Sequence, residues 1–203
     1  MIIKDSYLTI KAPSEFEIKV EKSKFIANSF PFSDPGSLRE KLKTVKEKYF
    51  DASHHPYGYK VGRDENNFRY SDDGEPSGSS GKPVYDAIIK NNLSDVLVTV
   101  TRYFGGIKLG VGGLKRAYFE AADLCLIQSK VIEKIYYESL TLFFDYKYMN
   151  NVIRMLNTCE GSITDNRSGE EVVLDCKIRL SKVDEFKENY EQLTFGSGKI
   201  IFG

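Results

Sequence analysis

The sequence predicts an α+β protein built from two domains. Its 203 residues suffice for two small domains, and 41% of them are hydrophobic, which supplies enough apolar surface for real cores. Segments in which apolar and polar residues alternate, typical of strands, are interspersed with segments whose apolar residues recur three and four positions apart, typical of helices. After about residue 136 these segments follow the order βαββαβ. We therefore place the domains at residues 1–136 and 137–203.

The first domain opens with predicted strands at residues 7–10, 16–20 and 25–30. In the helix that follows, Asp34 is the expected cap and Pro35 the first-turn residue. Its apolar face contains Leu38, Leu42, Val45 and Tyr49.

A predicted hairpin comes next, with strands at residues 57–62 and 67–71, and a short helix begins at Pro83. Residues 96–103 are dense in Val and Thr and are bounded by turn residues, so we expect this strand to be central. A helix at residues 113–128 completes the domain.

The second domain has predicted strands at residues 140–144, 162–164, 172–178 and 199–202. Predicted helices at residues 148–156 and 183–193 separate them. This order is that of the split βαβ, or ferredoxin-like, fold.

The charges of the chain cancel, with 29 Lys and Arg against 29 Asp and Glu, which excludes a polycation. The first domain holds 21 bases and 18 acids and the second 8 and 11, so the halves carry +3 and −3. The longest apolar run, residues 96–100, is interrupted by Thr99 and is far too short to cross a membrane. The first five residues resemble neither a secretory signal nor a transit peptide. We expect a cytoplasmic protein without membrane contact.

The three cysteines, Cys125, Cys159 and Cys176, are odd in number and widely spaced. This pattern fits reduced thiols packed as small apolar side chains, with no disulfide partner and no metal.

Glycine is concentrated in one part of the chain, since eight of the 16 glycines lie between residues 74 and 113. The segment from residue 102 to 116 follows the strongest strand, enters a helix and contains four cations and no acid. Glycines let backbone N–H groups approach a ligand, and a helix start attracts anions. The candidate phosphate or nucleic-acid contacts are Arg102, Gly105, Gly106, Lys108, Gly110, Gly112, Gly113, Lys115 and Arg116. The alternative is that the glycines serve only turns and close packing.

Two familiar phosphate motifs are absent. A P-loop around Gly81-Lys82 fails because prolines stand at positions 76 and 83, where a glycine and a hydroxyl residue belong. A dinucleotide fingerprint beginning at Gly110 fails because Lys115 replaces its third glycine. The sequence therefore indicates neither a P-loop ATPase nor a Rossmann dehydrogenase.

A second loop, residues 72–82, combines carboxylates with small residues and prolines. Carboxylates beside phosphate-binding cations could hold Mg²⁺ for phosphoryl transfer, with His54 as a general base, and a surface loop of turn-forming residues is the equal alternative. His54 and His55 are adjacent on an expected strand and are not a metal pair. The candidates here are His54, Asp72, Asp73, Gly74, Glu75, Pro76, Ser77 and Gly78.

Aromatic residues also alternate with cations, a pattern that suits single-stranded nucleic acid but that ordinary strands share. The segments are Lys24-Phe25, Tyr57-Gly58-Tyr59-Lys60, Phe68-Arg69-Tyr70 and Arg102-Tyr103-Phe104.

Residues 72–83 and 98–110, DDGEPSGSSGKP and VTVTRYFGGIKLG, resemble the signature of the Impact family in its bacterial, YigZ-type form. His54-His55-Pro56-Tyr57 stands where the family usually carries a His with an aromatic residue close after it, and weaker similarity extends over the whole chain. Tyr85 departs from the family, in which an aliphatic residue is expected.

The resemblance implies a ribosomal protein S5 domain 2-like fold for the first domain. For the second it implies a ferredoxin-like domain similar to a late domain of elongation factor G. Eukaryotic Impact proteins regulate translation by competing for the co-activator of an initiation-factor kinase, and the family has no established catalytic residues or cofactor. We therefore expect a binding protein, rather than an enzyme, whose partner is RNA, the ribosome or a translation factor. The alternatives are the Mg²⁺-dependent enzyme and a protein-interaction module.

Overall fold

The computed structural model describes residues 5–203, which form a mixed α+β structure of two compact units. The first unit is Leu8–Glu133, and the second combines the described residues up to Tyr7 with Lys134–Gly203. The sequence assigns all of residues 1–136 to the first domain, whereas the structure groups the beginning of the chain with the second unit. The prediction that the first five residues carry no targeting segment falls largely on residues 1–4, outside the described part.

After β1 (Ser6–Ile10), the first unit builds a five-stranded antiparallel sheet. Its strands are β2 (Ser14–Val20), β3 (Ser23–Pro31), β4 (Tyr57–Lys60), β5 (Phe68–Ser71) and β6 (Val96–Tyr103). They lie in the order β2-β3-β6-β4-β5. The prediction that β6 is central is therefore confirmed, and β5 is an edge strand.

Three helices cover the two faces of this sheet: α1 (Leu38–Lys48), α2 (Gly81–Lys90) and α3 (Gly110–Gln128). Alternate residues of a strand point to opposite faces. Val98 and Val100 of β6 pack with α2 and α3, whereas Leu97 lies in the cluster that includes Leu38 and Leu42 of α1. The α1 helix and the α2–α3 pair thus lie on opposite faces.

The helix starts differ from the sequence prediction by a few residues. Asp34 caps a 3-10 turn, Pro35–Ser37, by accepting a hydrogen bond from Gly36 N at 2.8 Å, and α1 begins only after that turn. The α2 helix begins two residues before Pro83, and α3 begins at Gly110 instead of residue 113. The glycine-rich segment at residues 102–116 therefore extends into the first turn of α3.

The chain leaves the first unit through β7 (Val131–Ile135), which pairs with β1 in a two-stranded sheet and which the sequence does not predict. The second unit then has the order βαββαβ. Its elements are β8 (Tyr137–Phe144), α4 (Met149–Thr158), β9 (Ser162–Asn166), β10 (Val172–Arg179), α5 (Val183–Leu193) and β11 (Lys199–Phe202).

The sheet of the second unit is antiparallel, with strand order β11-β8-β10-β9. Both helices contribute to its core, which includes Leu142, Leu156, Leu174 and Phe186. The beginning of the chain is fixed to this unit by Asp5, whose carboxylate accepts hydrogen bonds from Arg179 Nε at 2.5 Å and from Ser181 Oγ. These bonds hold the pKa of Asp5 well below its usual range.

Within residues 5–203 no helix combines the length and the apolar character needed to cross a bilayer. All three cysteines are buried as free thiols.

Candidate functional site

The two loops singled out in the sequence meet at a buried ion pair in the first unit. We call residues 72–82 the acidic loop and residues 104–113 the glycine loop. Arg102 Nη1, at the end of β6, lies 2.8 Å from Glu75 Oε1 of the acidic loop, and the two side chains are 9% and 3% exposed. The Tyr118 hydroxyl of α3 donates to the same carboxylate oxygen at 2.7 Å. Glu75 therefore connects the acidic loop to the strand and the helix that border the glycine loop.

Tyr118 is a residue that the sequence does not single out. It is fully buried on α3, its ring packs edge-on against Phe25, and burial together with the Glu75 hydrogen bond strongly raises its pKa. Its tyrosine hydroxyl is therefore a hydrogen-bond donor to a carboxylate at any physiological pH. Sequence offers only a weak signal for this role, a polar aromatic residue on an otherwise apolar helix face.

Arg102 differs from its predicted role as a phosphate contact. Besides Glu75, its guanidinium lies near the rings of Phe25 and Phe104, at 5.6 and 5.3 Å from their centroids. A cation that is enclosed by a carboxylate and two aromatic rings has little surface to offer a phosphate. Arg102 therefore holds the loops together and is not a solvent-facing cation.

Asp72 organises the acidic loop and the start of α2. Its Oδ2 accepts from Gly78 N at 2.7 Å, and its Oδ1 accepts from Ser80 N at 3.0 Å and Gly81 N at 2.8 Å. Burial alone would raise the pKa of Asp72, but the hydrogen bonds from these backbone amides and from Ser80 outweigh it and lower the pKa. Asp72 thus acts as a cap for α2 from nine residues before its first residue, Gly81.

Asp73 and the two histidines form the other side of the acidic loop. Asp73 Oδ2 accepts from His55 N at 2.8 Å, and its Oδ1 lies 3.2 Å from Lys46 Nζ. His54 Nδ1 lies 2.8 Å from the Asp73 carbonyl oxygen, and His55 Nδ1 lies 3.0 Å from Thr101 Oγ1. Burial lowers the pKa of His55. The two histidine rings thus make their hydrogen bonds to different partners.

These contacts give little support to a magnesium site in the acidic loop. Both carboxylate oxygens of Asp72 and of Asp73 are engaged by backbone amides or by Lys46, and Oε1 of Glu75 is engaged by Arg102 and Tyr118. Among the described residues, no group of three or more His, Cys, Asp or Glu side chains is placed to hold a metal ion. Pro76 and Ser77 are exposed at the tip of the loop, and Gly74 and Gly78 have positive φ angles of 91° and 67°. The acidic loop is a tightly hydrogen-bonded turn structure.

The glycines of the glycine loop serve different purposes. A Cβ at Gly105 would lie 1.8 Å from the Lys22 carbonyl oxygen, so packing requires glycine there. Gly106 and Gly110 have φ angles of 86° and 67°, which favour glycine. A Cβ at Gly113 would lie 3.0 Å from Leu109 Cβ, a tight contact. Outside the adjacent residues and the backbone of its own helix, the atom nearest to a Cβ at Gly112 would be Arg116 Nη1, at 4.0 Å. Its φ is not positive, so neither packing nor backbone geometry accounts for this glycine.

The start of α3 combines these glycines with exposed cations. Its first turn contains no acidic residue, and Leu109 at the cap position provides no side-chain hydrogen bond. Lys108, Lys115 and Arg116 are all exposed. A cavity of about 440 Å³ is lined by Lys108, Gly113 and Arg116, with Glu21 and Glu120 among its other lining residues. Lys108 and Arg116 therefore border one cavity beside the start of α3, and Lys115 is exposed on the second turn of the same helix.

The glycine loop is also apolar on its outer surface, where the sequence pattern points to Phe104 but not to Ile107 or Val111. Phe104, Ile107 and Val111 are exposed by 56%, 39% and 49%. Exposed apolar side chains next to cations can contact either nucleic-acid bases or a protein partner.

Comparison with known proteins identifies the family. Residues 21–126 match the Impact N-terminal domain. The IMPACT family member YvyE of Bacillus subtilis is 32% identical over 198 residues, which cover 98% of this chain and 91% of YvyE. The IMPACT family member YigZ of Escherichia coli is 28% identical, with 97% of this chain and 98% of YigZ covered. A crystal structure of a hypothetical protein has a TM-score of 0.73 at 28% identity, and 98% of each chain is covered. This chain belongs to the Impact family.

Proposed function

We propose that this Impact-family protein is a cytoplasmic binding protein that engages RNA of the translation apparatus through the glycine loop and the start of α3. The observation that carries the proposal is the cavity that Lys108 and Arg116 line beside a helix start without a side-chain cap, whose first turn includes Gly112. Lys115 adds an exposed cation on the second turn. Unpaired N–H groups and the positive end of a helix attract phosphate, and cations add to that attraction. Such a site contacts phosphates and does not read the base sequence.

The architecture of the two units supports a role near translation. We assign the first unit to the ribosomal protein S5 domain 2-like fold. We assign the second, with its βαββαβ order and β11-β8-β10-β9 sheet, to the ferredoxin-like fold of a late domain of elongation factor G. A shared fold alone does not establish a function, so the proposed function depends on the residues of the site.

The experiment is a titration of the full chain against single-stranded RNA, with fluorescence anisotropy as the readout. We expect the Lys108→Ala, Arg116→Ala variant to lose most of the affinity at low salt. The wild-type affinity should fall steeply as salt rises, and the slope of log affinity against log salt should decrease by about 0.7 for each phosphate contact removed.

The matched control is the Arg39→Ala, Lys43→Ala variant, which removes the same charge from exposed positions of α1, on the other face of the sheet. Its affinity should stay within about twofold of wild type. Equal affinities for the Lys108→Ala, Arg116→Ala variant and wild type would overturn the proposal.

The second candidate function is a protein-interaction module, and the exposed apolar side chains Phe104, Ile107 and Val111 favour it. In that case a Phe104→Ser, Val111→Ser variant would lose a protein partner in pull-downs that survive nuclease treatment, while the lysine and arginine variant would keep it. Loss of all partners on nuclease treatment would favour RNA instead.

A further inference from the structure

An exposed group of aromatic rings lies at the edge of the five-stranded sheet. Phe68 and Tyr70 lie on the edge strand β5, and Tyr85 lies on α2. The ring of Phe68 stacks on that of Tyr85, with centroids 4.6 Å apart and planes inclined by 21°, and the Tyr70 ring lies 6.0 Å from Tyr85 and 6.3 Å from Phe68. We call these three residues the aromatic platform.

The aromatic platform is not part of the buried core. Phe68 and Tyr70 are 38% and 39% exposed, and none of the three residues belongs to the hydrophobic clusters of the first unit. In contrast, the rings of Phe25, Tyr57 and Tyr59, which also neighbour cations in the sequence, are at most 7% exposed. Among the aromatic–cation segments, Phe68-Arg69-Tyr70 therefore has two rings that a ligand can reach, and Arg102-Tyr103-Phe104 has one, that of Phe104.

The position of the platform links it to the cations of α3. A second cavity, of about 260 Å³, is lined by Pro83 and Asp86 of α2 and by Lys115 and Arg116 of α3. Tyr85 is the immediate neighbour of Asp86 on α2. Asp86 is bonded to Lys82 Nζ at 2.8 Å through both carboxylate oxygens, so its charge is compensated. The cations Lys115 and Arg116 and the rings of the aromatic platform thus both lie beside α2.

We propose that the aromatic platform stacks the bases of a single RNA strand whose phosphates contact Lys115 and Arg116. This inference rests on the proposed function and extends it from an anion site to a site for single-stranded RNA. Every base has an aromatic face, so stacking on such rings holds a strand without reading its sequence. The Lys60 side chain, on the strand opposite Phe68 in the β4–β5 register, adds a cation at the platform end.

Tyr85 supplies the ring that stacks on Phe68, with the two centroids 4.6 Å apart. A leucine at position 85 would keep an apolar contact for Phe68 but would remove one stacking ring. Tyr85→Leu therefore tests the ring, and Tyr85→Phe keeps the ring while it removes only the hydroxyl.

The test compares two probes of about 12 nucleotides, a length within the range of single-strand sites: an oligouridine RNA and an abasic ribose-phosphate chain of the same length. We expect Tyr85→Leu, and likewise Phe68→Leu, to weaken binding of the RNA about tenfold and to leave binding of the abasic chain unchanged. Tyr85→Phe should bind the RNA like wild type. Phe50→Leu, which changes a ring that is 84% exposed on the α1 side, should also match wild type.

The outcomes separate this inference from the proposed function. If wild type binds neither probe, both fail. If wild type binds both probes equally, or if Tyr85→Leu binds the RNA as tightly as wild type does, the platform has no stacking role while the anion site at α3 stands. Ultraviolet crosslinking of the RNA to wild type should label the peptides that contain Phe68, Tyr70 or Tyr85, and labelling confined to the second unit would contradict the inference.

Discussion

Arg102 and Glu75 form an ion pair of 2.8 Å in which both side chains are more than nine-tenths buried. Tyr118 donates a second hydrogen bond to Glu75 at 2.7 Å. The pair joins the two sequence segments by which the family is recognised, since Glu75 lies in the first and Arg102 in the second. Their joint presence in the chain thus has a physical reason: each segment supplies the charge that the other requires in the interior.

The first prediction concerns the removal of one partner. Glu75→Ala leaves the Arg102 guanidinium buried without its carboxylate, and breaking a buried pair in this way costs about 3–5 kcal/mol of unfolding free energy. Tyr118→Phe removes only one hydrogen bond and should cost about 1–2 kcal/mol. Chemical denaturation of the full chain measures both.

A double variant provides the control for this prediction. Glu75→Leu combined with Arg102→Met removes both charges. The unfolding free energy that this double variant loses should be smaller than the sum of the losses caused by Glu75→Leu alone and by Arg102→Met alone. Additive losses, or a Glu75→Ala variant within about 1 kcal/mol of wild type, would show that the pair contributes little.

The sequence predicts the elements around this pair better than the pair itself. The density of Val and Thr in β6 is enough to place it at the centre of the sheet, because such residues suit a strand that is buried on both faces. The apolar spacing of α1 likewise predicts a helix whose Leu38 and Leu42 face the sheet. The sequence pattern of one segment is therefore enough to predict a buried strand or a helix with one apolar face.

The role of Arg102 could not be predicted in the same way, because its partner is 27 residues away in the chain. A cation in a segment without acids is typical of an anion site, and only the fold reveals that the acidic loop supplies the missing carboxylate. Asp72 illustrates the same limit, since its backbone partners at Gly78 and Gly81 depend on how the loop folds back. The tertiary fold also determines the exposure of Phe104, Ile107 and Val111, which sequence alone does not indicate.

The second prediction concerns Asp72 and pH. Asp72→Asn replaces a carboxylate that accepts from Gly78 N and Gly81 N, and by analogy with helix caps it should cost about 1–2 kcal/mol of unfolding free energy at pH 7. The folded-state pKa of Asp72 is lower than its ordinary value of 3.8. The ionised group therefore contributes stability above that value and loses it as the pH falls through the folded pKa.

Denaturation of wild type and Asp72→Asn at several pH values measures this dependence. The difference in unfolding free energy should be constant above about pH 5 and should shrink below about pH 4. A difference that stays the same down to the most acidic conditions in which the protein folds would mean that the charge of Asp72 is not what stabilises α2. Asp64→Asn, at an exposed turn position, serves as the matched control.

The third prediction concerns the thiols. Burial raises the pKa of Cys125 and Cys159, and it raises the pKa of Cys176 to about 12. Thiolates are the reactive form, so we expect almost no reaction of the native protein with a thiol-specific disulfide reagent at pH 8. In denaturant, all three thiols of the sequence should react with the reagent. A thiol that reacts rapidly in the native protein would contradict this packing.

The last prediction separates the two reasons for glycine in the glycine loop. Gly112 lies in the first turn of α3 and a Cβ there would be no closer than 4.0 Å to its neighbours, so Gly112→Ala should raise the unfolding free energy by about 0.5 kcal/mol. If RNA approaches the backbone at this turn, the added methyl group should nevertheless weaken binding about fivefold, the effect of one lost hydrogen bond. Gly105→Ala is the contrasting variant: its Cβ would lie 1.8 Å from the Lys22 carbonyl oxygen, so it should lose roughly 3 kcal/mol of stability. Denaturation measures the stability of the two variants, and RNA titration measures their affinity. A Gly112→Ala protein that is more stable than wild type and binds RNA equally well would show that this glycine has no role in binding.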